Sequence, residues 1–235
     1  CEFGKAIIDY LGFRIGLKYL SPRDRNIQAM VEFLRPISKK QIQKWIGMVS
    51  HYRRFIPNMT EIVEPLNQVM KSKNFHWTVE ADHAFDKIKQ IMSNSPVLRT
   101  PDFSIPFCLS IDASNIGMGG FLFQVIDGIE HPVCFFSRKL DTHQKNYAIV
   151  EKECLALMSA VRFFHVYFEG PEPITVYTDH SPLTFLDRMS NSNDKLLRWR
   201  LELQKYPLHI VHRPGRDMFL PDILSRPELE AQGCG

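Results

Sequence analysis

The residue pattern changes character near Pro101-Asp102, and this change constrains the fold of the 235-residue chain more than any other feature. Upstream, apolar residues mostly recur at helical spacing. "SKKQIQKWIGMVSHYRRFIPN" (38–58) sets Ile42, Trp45, Ile46, Val49, Arg53 and Ile56 at that spacing, with Ser38 as N-cap. "LSPRDRNIQAMVEFLRPIS" (20–38) predicts a turn and then a helix closed by Arg35-Pro36. Residues 61–71 and 78–96 predict two further helices. Only "YLGFRIG" (10–16) reads as a short strand with glycine turns, so this part is expected to be mainly helical.

Downstream, β-favouring runs take over. "PFCLSIDAS" (106–114), "GGFLFQVID" (119–127) and "HPVCFFSRK" (131–139) predict three successive strands, the last two joined by an Asp127-Gly128 turn. A long segment without Pro or Gly (146–168) predicts a helix. "ITVYTDH" (174–180) follows as a strand, 192–206 as a helix, 207–214 as a fifth strand and 220–227 as a short helix. The order predicts an α/β fold: a helical segment, then a mixed five-stranded sheet flanked by helices. The expected division is residues 1–100, residues 101–227 and a mobile tail, 228–235.

Composition excludes little. Hydrophobic residues at 44% and charged residues at 23% fit a globular protein and argue against a disordered one. A net charge of +3 permits a nucleic-acid partner without arguing for one. Five cysteines with no C-x-x-C pair suggest reduced thiols. No apolar run reaches membrane-spanning length, and no secretory signal is visible, so an intracellular location is expected. The chain begins with Cys, which suggests a fragment.

Four acids stand out by placement. Asp112 and Asp179 end strands, Glu153 lies in the first half of the long helix, and Asp222 starts the last helix. Each has an ordinary explanation: turn former, helix N-cap, solvated helix acid, or an acid favoured by a helix N-terminus. Together they suggest a different one. Hard divalent cations such as Mg²⁺ take oxygen ligands, and two of them can drive an in-line phosphodiester displacement. Acids delivered by adjacent strands and a neighbouring helix are how an α/β sheet would build such a site.

"IDASNIGMGGFLFQ", "KECLALMSAVRFFHVYFEG", "VYTDHSPLTFL", "LLRWRLELQKYPLHIVHRPG" and "LPDILSRP" resemble, in order, the motifs of the RNase H domain of gypsy-type LTR retrotransposons. Upstream, "YLGFRIG" is similar to the strand leaving the reverse transcriptase palm. "QAMVEFLRPISKKQIQKWIGMVSHYRRFIPNMTEIVEPLNQVM" is similar to the thumb and connecting region. The resemblance covers nearly the whole chain and extends to the segment leading into the RNase H domain.

The resemblance implies a ribonuclease H that hydrolyses the RNA strand of RNA–DNA hybrids, leaving 3′-hydroxyl and 5′-phosphate ends. Asp112, Glu153, Asp179 and Asp222 would hold two Mg²⁺ (or Mn²⁺) ions. Expected partners are a hybrid or template-primer duplex and the rest of a Pol polyprotein, within the cytoplasm, a retroelement particle or the nucleus, and no membrane. Two acids occur on the helix, but Glu151 and Glu153 differ by about 200° in direction. Glu153 directly precedes the apolar run Cys154–Leu157, as the family's acid does, so Glu153 is assigned; Glu151 is expected to be solvated or to support the site indirectly. His212, ten positions before Asp222, is either an auxiliary in proton transfer or product release, or a plain strand-end residue. Pro221 stands where the family commonly has Ala, Gly120 where many members have Ala, and Ser181 where Lys is common.

No Tyr-x-Asp-Asp motif, and no Asp-Asp pair at all, occurs in the 235 residues, so no polymerase site is expected in this chain. Phosphate contacts are expected from Lys40, Lys44, Arg54, Arg198, Arg200, Arg213 and Arg216, the ordinary alternative being a solvated helix exterior. Trp45, Tyr52 and Trp199 are expected in cores. The rival functional reading is a catalytically silent, retroelement-derived nucleic-acid-binding or scaffold module. Decay of that kind would be expected to remove at least one of the four acids, and all four are present.

Overall fold

A computed structural model describes residues 5–94, 96–170, 172–181, 183 and 194–214. Its described strands form two sheets. The first is antiparallel, in the order β1 (Ile7–Tyr10), β2 (Phe13–Gly16), β3 (Tyr19–Pro22) and β4 (Leu98–Arg99). Helices α1 (Asp24–Val31), α2 (Lys39–Ser50), α3 (Met59–Ile62), α4 (Glu64–Lys71) and α5 (Val79–Ser93) lie between β3 and β4.

This upstream unit is more sheet-bearing than its sequence suggests. What reads as one strand over 10–16 is a hairpin turning at Leu11-Gly12, both at positive φ. The turn is tied down from afar: Asn26 Nδ2 and Tyr52 OH both donate to the Gly12 carbonyl, at 3.2 and 3.3 Å. Two predicted helices are also shorter than expected. Helix α1 stops at Val31, because Phe33 turns in to pack on Trp45 and Pro36 disfavours helix before it. Helix α2 stops at Ser50; a 3₁₀ turn (Arg53–Phe55) follows, and Pro57 holds Ile56 extended. The expected Ser38 cap is present, its hydroxyl accepting from the Gln41 N–H at 3.3 Å. Ile42, Trp45, Val49, Phe55, Leu66, Ile88 and Met92 are fully or almost fully buried in one core.

The second sheet is mixed and five-stranded, as the sequence predicts. Its order is β7 (Ile129–Lys139), β6 (Gly117–Ile126), β5 (Phe107–Ala113), β8 (Ile174–Thr178) and β9 (Leu208–His212). The β5–β6–β7 meander is antiparallel; β8 and β9 run parallel to β5. The Asp127-Gly128 hairpin has φ of +54° and +77°, the conformation that Asp-Gly favours. Helix α6 (Ile149–Phe164) covers one face, with α7 (Asp194–Leu203) against it. Strand alternation sends Leu109 and Ile111 into the α6 core. The predicted helix at 220–227 lies outside the described residues.

The two units meet along β7. Phe135 packs against the upstream core, Lys139 pairs with the buried Glu64, and the Thr60 N–H donates to Ser137 Oγ at 2.9 Å. No helix among the described residues is long and apolar enough to cross a membrane.

Candidate active site

Parallel pairing puts the C-terminal ends of β5, β8 and β9 at one edge of the sheet. Asp112 stands near the end of β5, and Asp179 follows β8 directly. Helix α6 brings Glu153 to the same spot from one face. One oxygen of each of the three carboxylates lies within 4.8 Å of the others. Asp112 and Asp179 are exposed, whereas Glu153 is only 4% exposed.

The electrostatics of this cluster are unfavourable as it stands. Burial, then the charges of Asp112 and Asp179, pushes the Glu153 carboxyl up to about 8. Partial burial against the strand end, then Asp179 and Glu61, holds Asp112 above the usual carboxylate range. The Ala113 N–H pulls both the other way. Glu153 Oε2 is buried and has no hydrogen-bond partner among the described residues. A buried carboxylate oxygen with no donor, facing two more acids, fits a hard divalent cation, whose charge would remove the repulsion.

Helix direction separates the two candidate glutamates. Glu151 turns away from the cluster: its Oε2 accepts the Ala148 N–H at 3.0 Å, and its Oε1 pairs with Lys195 at 3.0 Å. The Lys195 ammonium sits 3.4 Å from the Tyr147 ring centroid, so Glu151 clamps the start of α6 to α7. Glu151 is therefore tied to α7 and is not solvated. Lys152, between the two, is buried and donates to Asn115 Oδ1 at 2.8 Å, which pins the β5–β6 turn.

His212 ends β9 in register with Thr178, and its Nε2 lies 3.2 Å from the Asp179 carbonyl oxygen. It is therefore placed beside the cluster, exposed to solvent. Asp222 and Arg216 lie outside the described residues. Lys40, Lys44, Arg54 and Arg198 are exposed and Arg200 half-buried. Arg213 does not present a free charge: its Nη1 pairs with Glu130 at 2.7 Å, and its guanidinium stacks over Tyr177. Trp45 and Tyr52 are core residues, and Trp199 packs against the α6 core.

Glu61 was not singled out in the sequence. It belongs to α3 of the upstream unit, and nothing in its local pattern marks it. Only the tertiary fold brings its charge to bear on Asp112.

Residues 102–206, the stretch that carries this cluster, match the RNase H-like domain found in reverse transcriptase. The chain is similar to the Pol polyproteins of retroelements. It is 34% identical over 232 residues to the retrovirus-related Pol polyprotein from transposon 297 of Drosophila melanogaster, covering 98% of this chain and 21% of that one. It is equally identical over 233 residues to the Tf2-3 transposon polyprotein of Schizosaccharomyces pombe, covering 96% of this chain and 17% of that one. The chain thus spans about a fifth of the length of these relatives. Its fold is that of the foamy viral protease-reverse transcriptase. The form in complex with RNA/DNA hybrid superposes with a TM-score of 0.68 at 19% identity, over 98% of this chain and 32% of the other. The form in complex with dsDNA gives 0.70 at 19% identity, over 93% and 46%.

Proposed function

We propose that this chain is a metal-dependent ribonuclease H that hydrolyses the RNA strand of RNA–DNA hybrids as part of a retroelement reverse transcriptase. The observation that carries the reading is the convergence of Asp112, Glu153 and Asp179, with Glu153 Oε2 buried and lacking a donor among the described residues. These three, with Asp222 as a fourth, would hold two Mg²⁺ or Mn²⁺ ions. Such ions stabilise the attacking and leaving oxygens of an in-line displacement.

The chain's own residues supply the rest. Glu153, its carboxyl raised by burial and by the charges of Asp112 and Asp179, would be a ligand whose charge such an ion would favour. Lys152 and Asn115 hold the β5–β6 turn, and Glu151 with Lys195 holds the first turn of α6, so the acids keep their spacing. His212 would act as an auxiliary in proton transfer or product release. Lys40, Lys44, Arg54 and Arg198 would lie along phosphates of the duplex, a contact that carries no base specificity. A structural neighbour, the foamy viral protease-reverse transcriptase solved in complex with RNA/DNA hybrid, supports that substrate class. Residues 1–100 would serve as the end of the palm plus thumb and connection, and 101–227 as the nuclease.

The test is incubation of the purified chain with a doubly labelled hybrid, Mg²⁺ and deoxynucleotides at low salt. RNA cleavage that disappears on chelation, without DNA extension, is the expected result. Intact RNA with both Mg²⁺ and Mn²⁺ would overturn the nuclease reading in favour of a silent binding module.

A further inference from the structure

Asp112, Gly119 and Ser137 form one cross-strand row, since Asp112 pairs with Gly119 and Gly119 with Ser137. Cross-strand partners share a face of the sheet. This face is opposite the one covered by α6: the neighbouring row, Ile111, Gly120 and Phe136, faces the helix, with the Gly120 position 3.8 Å from Ala160 Cβ.

The Asp112 row is gripped from the upstream unit. Ser137 receives two hydrogen bonds from it: the Thr60 N–H reaches its Oγ, and the Arg53 guanidinium donates to its carbonyl. Asn58 covers the middle of the row. A Cβ built on Gly119 would stand 2.3 Å from Asn58 Oδ1, and one built on Gly117 would stand 3.1 Å from Thr60 Cγ2. The absence of side chains at 117 and 119 is what lets the turn into α3 lie on the strand.

Asn58 is suited to this place by its backbone. It sits at φ 46°, ψ 35°, the left-handed region that Asn tolerates better than most residues. Its carbonyl accepts from Glu61 and Ile62, starting α3, while buried Met59 anchors the turn in the upstream core. The turn cannot shift without disturbing one core or the other.

We propose that Asn58 is a positioning residue for the hydrolytic site: seated on Gly119, it holds the strand end that carries Asp112, so that the site is fully formed only with the upstream unit docked. The proposal rests on the metal-dependent nuclease reading. The charge of Glu61, three residues further on, reaching Asp112 agrees with so close an approach.

The test compares wild type with Asn58→Gly, Gly119→Ala and the double variant, all in the full chain. Glycine at 58 keeps the positive φ without strain and removes only the brace. The readouts are single-turnover cleavage, KM for hybrid, thermal midpoint, and Mn²⁺ binding followed by electron paramagnetic resonance. Gly119→Ala is expected to lower the cleavage rate about tenfold or more, as sub-ångström misplacement does. It should also weaken Mn²⁺ binding, with KM little changed. The double variant should return from the lower Gly119→Ala level to that of Asn58→Gly, because removal of Asn58 makes room for the new methyl group but leaves the brace missing. A purely structural contact would move the thermal midpoint and leave rate and Mn²⁺ affinity alone below it, which would overturn the proposal. So would a double variant no better than Gly119→Ala. If Gly119→Ala does not fold, Asn58→Gly alone decides: wild-type rate and Mn²⁺ affinity refute the brace, and loss of both supports it. A wild-type chain that binds Mn²⁺ but cleaves nothing refutes the nuclease reading instead, and suppression in Mn²⁺ affinity then decides the positioning claim.

Discussion

Glu153 and Asp112 come from different elements, yet they present carboxylate oxygens within 4.8 Å of each other, and Glu153 is almost wholly buried. Like charges at that spacing cannot both ionise at low cost. The arrangement is expected to make the protein's stability depend on pH.

The direction follows from linkage. The Glu153 carboxyl is raised from an ordinary 4.5 to about 8. A raised acid favours the folded state fully below its unfolded value, and that contribution is lost as pH rises through the folded value. The chain in chelator should therefore melt at progressively lower temperature between pH 4.5 and 8, by an amount worth a few kcal/mol at most. Mg²⁺ or Mn²⁺ should flatten the profile, and so should Glu153→Gln. Differential scanning calorimetry across pH, with and without cation, checks this; a flat profile in chelator would refute it.

Asp112→Asn and Asp179→Asn should each reduce hybrid cleavage by about 100-fold or more, a loss of ~2.7 kcal/mol of transition-state stabilisation. Both substitutions nearly conserve volume and remove a like charge, so the thermal midpoint in chelator should hold or rise. Near-normal cleavage by folded Asp179→Asn would return that residue to the role of a helix cap.

The two helix glutamates should behave differently. Glu153→Gln should lose most cleavage while staying folded. Glu151→Gln keeps an oxygen for the Ala148 N–H but loses its charge opposite Lys195. It should cost about 0.5–1 kcal/mol of stability and little activity. Denaturant titration and single-turnover kinetics on the same preparations separate the two effects.

Basic residues should also divide into two groups. Lys40→Ala with Lys44→Ala should leave the melting temperature unchanged and reduce the salt slope of hybrid binding by roughly 2. Arg213→Ala leaves partly buried Glu130 without its ion pair and should destabilise by roughly 1–3 kcal/mol. A pure binding defect in Arg213→Ala would show that the pair with Glu130 opens on substrate.

His212→Ala should slow cleavage modestly, as read by single-turnover kinetics. Its ring nitrogen faces the Asp179 carbonyl, not the carboxylate cluster itself, so complete loss is not expected. An unchanged cleavage rate would make it a plain strand-end residue.

Much of the candidate site was legible in the chain because its signals are local. An acid ending an apolar strand is visible at Asp112 and Asp179. Helical periodicity shows that Glu151 and Glu153 cannot face the same spot, the family resemblance selects Glu153, and the Asp127-Gly128 turn announces the β6–β7 hairpin. The five-stranded sheet follows from strands of useful length with strong alternation or burial.

What local pattern could not carry was decided by tertiary contact. Strands β1 to β4 are two to four residues long, and β4 joins β3 from 76 positions downstream, so no window contains the sheet. Helices α1 and α2 end early because packing and proline geometry override apolar spacing. Arg213 reads as a phosphate contact or a solvated charge until the fold sets Glu130 beside it, and Glu151 as solvated or supporting until α7 brings Lys195. The row Asp112–Gly119–Ser137, with Asn58 seated upon it, exists only once two units have docked. Sequence by itself determined which residues alternate, turn and cap, because those preferences act over a few bonds. Which charges meet, and which unit braces the acids, depended on contacts between distant residues, which become visible only when the chain is closed.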